Sequence, residues 1–234
     1  MTPPLEALLF DVGGVLLLPD PTVIAPLLAP YGASDAIEDH RRAHYAAMAV
    51  KSRNGEAERD WSSYNLAYVE CVGVTADHTE HAAELLDRTR SALLWRWPIP
   101  ESLEALRRLD AAGIPMGVVS NATGQVEAEL LRTTVCQVGE GAGVEVRCIV
   151  DSHVVGVAKP DPRIFEFALD CFDGIDREQV GFVGDSVTMD VGGATAAGLH
   201  PILLDPYDDH AGADFTRIRS LAALVELVST HGRS

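Results

Sequence analysis

An aspartate closes an apolar run near the start of the chain: residues 8–18 read LLFDVGGVLLL. Apolar residues fill 7–10 without alternation, the pattern of a central strand in a parallel sheet, where both faces are buried. A carboxylate at the end of such a strand costs several kcal/mol unless a cation or hydrogen bonds compensate it. Asp11 therefore implies a built polar site at the strand's end. Gly13, two residues on, leaves a position in that site with no side chain.

Downstream the texture changes twice. From 20 to 94, Ala, Glu, Arg, His and Leu recur at helical spacing, with breaks near YGAS, SRNG and VGVTAD. This predicts three or four helices and no strand, with Ser34 and Thr75 as N-caps. WPIP at 97–100 marks the next boundary, after which strands and helices alternate. Helices are expected at 101–113, closed by Gly113, at 124–134, at 161–172 and at 189–198. Strands are expected at 114–121, within 144–152, at 179–186 and at 200–206. Such alternation predicts an α/β fold with a doubly wound parallel sheet. Residues 1–19 and 95–234 would form the sheet-based core, and 20–94 an all-helical insertion after the first strand.

The net charge of −17 over 234 residues argues against nucleic acid and anionic membrane surfaces as partners. No stretch reaches the roughly 18 apolar residues of a membrane span. The N-terminus lacks the basic region of a signal peptide. Cys71, Cys136, Cys148 and Cys171 show no CxxC spacing. They read as reduced, mostly buried thiols of a cytoplasmic protein.

Four polar clusters follow the expected strands: Asp11, Ser120-Asn121, Lys159, and Asp185 with Asp190. In a parallel sheet the carboxyl ends of the strands face one crevice. Three carboxylates, a hydroxyl and an ammonium would meet there, and the carboxylates coexist ionised only beside a cation. All-oxygen ligation with few protein groups suits Mg2+. Taken singly, the members have plainer readings. Asp11 can bond a turn, Ser120-Asn121 can cap, and Asp190 can favour a helix N-terminus. Lys159 is one of only two lysines in a chain that otherwise uses arginine, which suggests a place where a planar guanidinium would not fit.

The segments LLFDVGGVL, GVVSN, KPDPRIF and VGDSVTMD resemble, in order, the four motifs of the haloacid dehalogenase superfamily, whose commonest members are Mg2+-dependent phosphatases. The resemblance implies a Rossmann-like core with a helical cap between the first two motifs. It implies Asp11 as a nucleophile that forms an aspartyl-phosphate. It implies Mg2+ held by Asp11, the Gly13 carbonyl and Asp185, with Asp190 acting through water or by orienting Lys159. Ser120, the Asn121 backbone and Lys159 would bind the phosphoryl group, and the substrate would be a small phosphorylated metabolite.

Most phosphatases of the superfamily carry an aspartate, the general acid and base, where this chain has Gly13. The dehalogenases carry a tyrosine there and the phosphonoacetaldehyde hydrolases an alanine. Dehalogenation makes no use of the acids of the fourth motif. A phosphonate hydrolase would need a cap lysine for a Schiff base, and Lys51 is the candidate. A binding or regulatory protein is the remaining alternative, since Gly13 removes a catalytic group. Gly13→Asp is expected to restore the acid. In the insertion His40, Arg41, His44, Tyr45, Trp61 and Tyr64 are candidates for substrate contact, with His44 and His40 as candidate replacement acids. Trp95 and Trp97 read as packing residues. Oligomeric state is not legible.

Overall fold

The computed structural model describes residues 4–56 and 58–229. Six strands form one parallel sheet: β1 (Ala7–Phe10), β4 (Met116–Ser120), β7 (Ile149–Asp151), β8 (Val180–Gly184), β9 (His200–Leu204) and β10 (Thr216–Ile218). Their order in space is β10-β9-β8-β1-β4-β7. From β1 the chain builds outward through β4 to β7, then crosses back to build β8, β9 and β10 on the other side. The order therefore reverses at the β1/β8 junction, the place where ligands bind in open α/β sheets.

Alternate residues of β1 enter two separate cores. Leu8 and Phe10 pack with α5 (Pro100–Ala111), α6 (Val126–Arg132) and α10 (Ala222–Ser229) on one face. Ala7 and Leu9 pack with α8 (Arg163–Leu169) and α9 (Gly192–Ala196) on the other. All four β1 residues are fully buried, which explains the unbroken apolar run. Each such leucine or phenylalanine contributes about 1.5–3 kcal/mol through burial.

The helical insertion comprises α1 (Pro21–Leu28), α2 (Ile37–Asn54), α3 (Ser62–Cys71) and α4 (Thr79–Thr89), around a core of its own that includes Leu28, Met48, Tyr64, Tyr68 and Leu86. Its two connections to the sheet run side by side: β2 (Leu17–Pro19) pairs antiparallel with β3 (Trp95–Pro98). Asp20 fastens this junction. It caps α1 through the Thr22 amide at 2.9 Å and accepts from Arg96 Nε of β3 at 2.7 Å.

Several local expectations are corrected. The N-cap of α2 is Ala36; Ser34 Oγ instead accepts the Ala36 amide in a turn. Thr75 precedes a single 3₁₀ turn and makes no side-chain cap bond. The one strand expected within 144–152 is two, β6 (Val144–Val146) and β7, because Arg147 and Cys148 change direction between them. β6 pairs with β5 (Cys136–Val138), which the sequence reading left out. Of the four thiols only Cys136 is buried, and Cys71 is exposed. Among the described residues no helix is long and apolar enough to cross a membrane.

Candidate active site

Asp11 stands at the carboxyl end of β1, Ser120 ends β4, and Asp185 follows β8, so three adjacent strands deliver three groups to one edge. Lys159 arrives differently. It follows α7 (Ser152–Val155) on a loop rather than a strand, and Asn121 fixes that loop. The Asn121 side chain accepts the Lys159 amide at 2.8 Å and donates to the Lys159 carbonyl at 3.0 Å. The Lys159 ammonium then lies 2.9 Å from Asp11 Oδ1 and 2.7 Å from Asp190 Oδ1. Burial pushes the Lys159 amine down, but the two carboxylates outweigh burial and the net direction is up, so it stays charged.

Asp190 sits in a single wide π turn, Val187–Val191, a geometry frequent at functional sites. Its Oδ2 accepts the amides of Asp185 at 3.1 Å and Ser186 at 2.9 Å. With Lys159 on Oδ1, both oxygens are engaged, and Asp190 serves to orient its neighbours. Asp185 is held from the insertion: His44 Nε2 lies 2.9 Å from its Oδ2, and Tyr64 OH lies 2.8 Å from His44 Nδ1. Burial pushes the Asp185 carboxyl well up, and the charge of Asp11 adds to this. Gly14 makes this approach possible. Its φ is +69°, and a Cβ there would fall 1.9 Å from Asp185 Oδ2.

Oxygens of Asp11, Asp185 and Asp190 lie within 4.8 Å of one another. Three carboxylates against one ammonium leave two negative charges when all are ionised, the charge a divalent cation neutralises. A hard, all-oxygen donor set fits Mg2+. Asp11 and Asp185 have oxygens to offer it, and Gly13 lies beside them in the wall of the same cavity. That cavity, about 430 Å3, is lined from the core by Ser120 and Asn121 and from the insertion by Lys51, Glu58, Arg59, Trp61 and Arg90.

A family model for haloacid dehalogenase-like hydrolases matches residues 5–198. The chain belongs to this family. It aligns with enzymes of more than one chemistry. The phosphoserine phosphatase of Thermus thermophilus is 30% identical over 151 residues, covering 62% of this chain and 56% of that protein. The (S)-2-haloacid dehalogenase 4A of Burkholderia cepacia is 26% identical over 160 residues, covering 65% and 64%. The chain thus spans less than two-thirds of the length of these curated relatives. A haloacid dehalogenase-like phosphatase of Thermococcus onnurineus shares the fold, with a TM-score of 0.57 at 22% identity over 96% of this chain and 98% of that one.

Of the insertion residues expected to touch substrate, only Trp61 lines the cavity. His44 is buried and bonded through both ring nitrogens, and burial together with the charge of Arg90 pushes it down to about 3. It is neutral at ordinary pH and no proton donor. His40 bonds Tyr68 OH and the Ser34 carbonyl, away from the cavity. Arg41 pairs with Glu101, and Tyr45 donates to the Gly14 carbonyl at 2.7 Å, docking α2 onto the β1 loop. Trp95 packs against the insertion's core, as expected, and also lines the cavity. Its ring lies over Gly13, where an added Cβ would meet Cζ3 at 3.1 Å. The indole therefore crowds the position where a second aspartate would stand, and a side chain there must displace it by a few tenths of an ångström.

The sequence reading missed Glu58, Arg59 and Arg90. Arg90 lies 4.1 Å from the centroid of Trp61 and bonds the Asn65 side chain. Glu58 lies on the loop after Gly55. The available signal was the charged stretch GEAERDW between two helices, which periodicity alone could not orient.

Proposed function

We propose that the chain is a Mg2+-dependent phosphohydrolase that cleaves a small phosphorylated metabolite in the cytoplasm through an aspartyl-phosphate on Asp11. The observation that carries this reading is the Asp11–Lys159–Asp190 ion triad beside Asp185, in the wall of the cavity between core and insertion. Lys159 fixes the orientation of the Asp11 carboxylate. An Asp11 oxygen attacks phosphorus, the ester P–O bond breaks, and water later releases phosphate from Asp11, which splits one hydrolysis into two displacements. Ser120, the Asn121 amide and Lys159 receive the phosphoryl oxygens, so positioned donors meet the charge as it shifts. Asp11, the Gly13 carbonyl and Asp185 would hold Mg2+, which supplies charge neutralisation at the phosphoryl group. The insertion, docked through Tyr45 and His44, roofs the site, excludes water and selects the substrate.

The acid cluster, which a dehalogenase does not need, supports this choice over dehalogenation, and a phosphatase stands among the relatives. The test is phosphate release from a panel of phosphorylated metabolites. Release is expected with Mg2+, and it should vanish with EDTA and in Asp11→Asn while circular dichroism stays unchanged. Full activity in Asp11→Asn would rule out the covalent route.

One observation favours a second reading. Lys51 is buried in the cavity wall, and burial pushes its amine down, as a Schiff-base lysine requires. Its ammonium donates to the carbonyls of Glu58 and Asp60, which favours a structural role. Borohydride trapping with a phosphonate aldehyde separates the two: a covalent adduct on Lys51 would replace the phosphatase reading.

A further inference from the structure

We infer that Glu58, on the loop between α2 and α3, is the general acid and base of this site, taking the place of the carboxyl group that Gly13 lacks. The inference rests on the phosphohydrolase reading above. Its first support is elimination. Trp95 fills the space beside Gly13. His44 does not line the cavity and has both ring nitrogens committed to Asp185 and Tyr64, and His40 also lies outside the cavity. Beyond the Asp11, Asp185 and Asp190 cluster, the carboxyl groups lining the cavity are those of Glu58 and Glu129, and Glu129 is paired with Arg132. His153 also lines it, from the exposed start of α7.

The second support is position. An in-line displacement sends the leaving oxygen away from Asp11, toward the insertion that roofs the cavity. Glu58 belongs to that roof and lines the cavity together with Ser120 and Asn121, the expected phosphoryl-binding positions. The charged groups facing it are Lys159, Asp11 and Asp190 from the core, with Lys51 of α2 bonded to its carbonyl. Burial pushes its carboxyl up to about 7, against the opposing effects of the Asn121 hydrogen bond and the Lys159 charge. A carboxyl group tuned to that range can both give and take a proton near neutrality.

The steps balance. As Asp11 bonds to phosphorus, the ester P–O bond breaks, and its electron pair stays on the leaving oxygen. That oxygen takes the proton of Glu58, leaving an alcohol, the aspartyl-phosphate and a Glu58 carboxylate. The carboxylate then takes a proton from water as the water oxygen bonds to phosphorus. The P–O bond to Asp11 breaks, phosphate leaves, and both acids return to their starting states.

The test compares the wild-type chain with Glu58→Gln, in Mg2+, on phosphate monoesters from nitrophenyl to simple alkyl. For alkyl esters kcat/KM should fall by roughly 10²–10⁴-fold in Glu58→Gln. For nitrophenyl phosphate, whose leaving group needs no proton, kcat/KM should change by less than about tenfold. That substrate should instead give a rapid nitrophenolate burst and then slow turnover, because water lacks its base; the burst also shows that the variant is folded. The acid must be protonated, so wild-type kcat/KM on alkyl esters should fall as pH rises through about 7. Glu58→Gln should lack that limb. Equal losses for all esters with the limb retained would overturn the inference, as would loss of the limb in His153→Gln and not in Glu58→Gln. A wild-type chain that gives neither burst nor phosphate from any ester would instead overturn the phosphohydrolase reading.

Discussion

Adding a single methyl group at Gly13 tests the claim that Trp95 has taken over the space of a lost side chain. An alanine Cβ would sit 3.1 Å from Trp95 Cζ3, 3.3 Å from Cε3 and 3.6 Å from Cη2. Comfortable carbon contacts lie at about 3.5–4.0 Å, so the two nearest overlap by roughly 0.2–0.4 Å or more. The indole cannot retreat freely. His44 meets it edge-on with centroids 5.4 Å apart, and Trp61 lies at 6.3 Å. Overpacking of this kind costs about 1–3 kcal/mol. Gly13 has no positive φ, so alanine also returns about 0.4–1 kcal/mol by restricting the unfolded chain. The net expectation for Gly13→Ala is a loss of about 0.5–2 kcal/mol. At about 2–4 °C per kcal/mol for a chain of this size, the melting temperature should fall by roughly 1–8 °C. In a Trp95→Leu background the methyl group should be neutral or stabilising, a coupling of about 1–3 kcal/mol in a double-mutant cycle of urea midpoints. Equal losses in the two backgrounds would refute the argument. The same logic applies to activity: Gly13→Asp should raise alkyl phosphate turnover more when Trp95 is also shortened.

Lys159→Arg should lose at least about 100-fold in kcat although charge is kept, because a wide planar group cannot satisfy Asp11 at 2.9 Å and Asp190 at 2.7 Å from one point; steady-state kinetics check it. Asp185→Asn should weaken Mg2+ binding more than Asp190→Asn does, since both Asp190 oxygens already hold donors, and calorimetric titration of the metal decides the order. At the junction, burial pushes the Asp20 carboxyl up, but hydrogen bonds from Thr22 and Arg96 outweigh it and the net direction is down. Its folded value lies below its unfolded one, so it stabilises above the ordinary carboxylate range, and that contribution is lost as pH falls through the folded value. Asp20→Asn should therefore lower the melting temperature at pH 7, by an amount that shrinks as pH falls below the ordinary carboxylate range.

The strands most plainly legible in the sequence are those buried on both faces, although β9 was also expected with its first two residues only partly buried. β1 and β8 are uninterrupted apolar or glycine runs and β4 departs from one only at its last residue, Ser120, because parallel strands between two helical layers meet no water. β10, a three-residue TRI with a half-exposed arginine at its centre, carries no such signal, and neither does β5 beside its glycine-rich loop. The charged residues of the site were legible for a related reason: a carboxylate or ammonium inside an apolar run has to be compensated. Glu58 had no such context, since a charged residue in a charged loop looks solvated until the loop is seen folded over the cavity. Trp95 packs against the insertion's core as expected, and an indole beside a boundary does so whether or not it also lines a cavity. Only its contact with Gly13 separates filling a hinge from filling an active site.

The pairing of β2 with β3 has a consequence for descent. Residues 17 and 98 are register partners, so the helical unit leaves and rejoins the core through neighbouring strands about 5 Å apart. None of the six-stranded sheet's hydrogen bonds passes through it. A short turn could bridge that gap, and so could another unit of any length, since the closure entropy of a loop grows only slowly with its size. The sheet that carries Asp11 can thus be inherited unchanged while the unit that brings Glu58, Arg59 and Trp61 to the cavity is exchanged, shortened or rebuilt. The nucleophile and the acid cluster in this chain stand on one piece of polypeptide, the proposed proton donor and the selectivity on another, and the chain passes between them through one two-stranded seam.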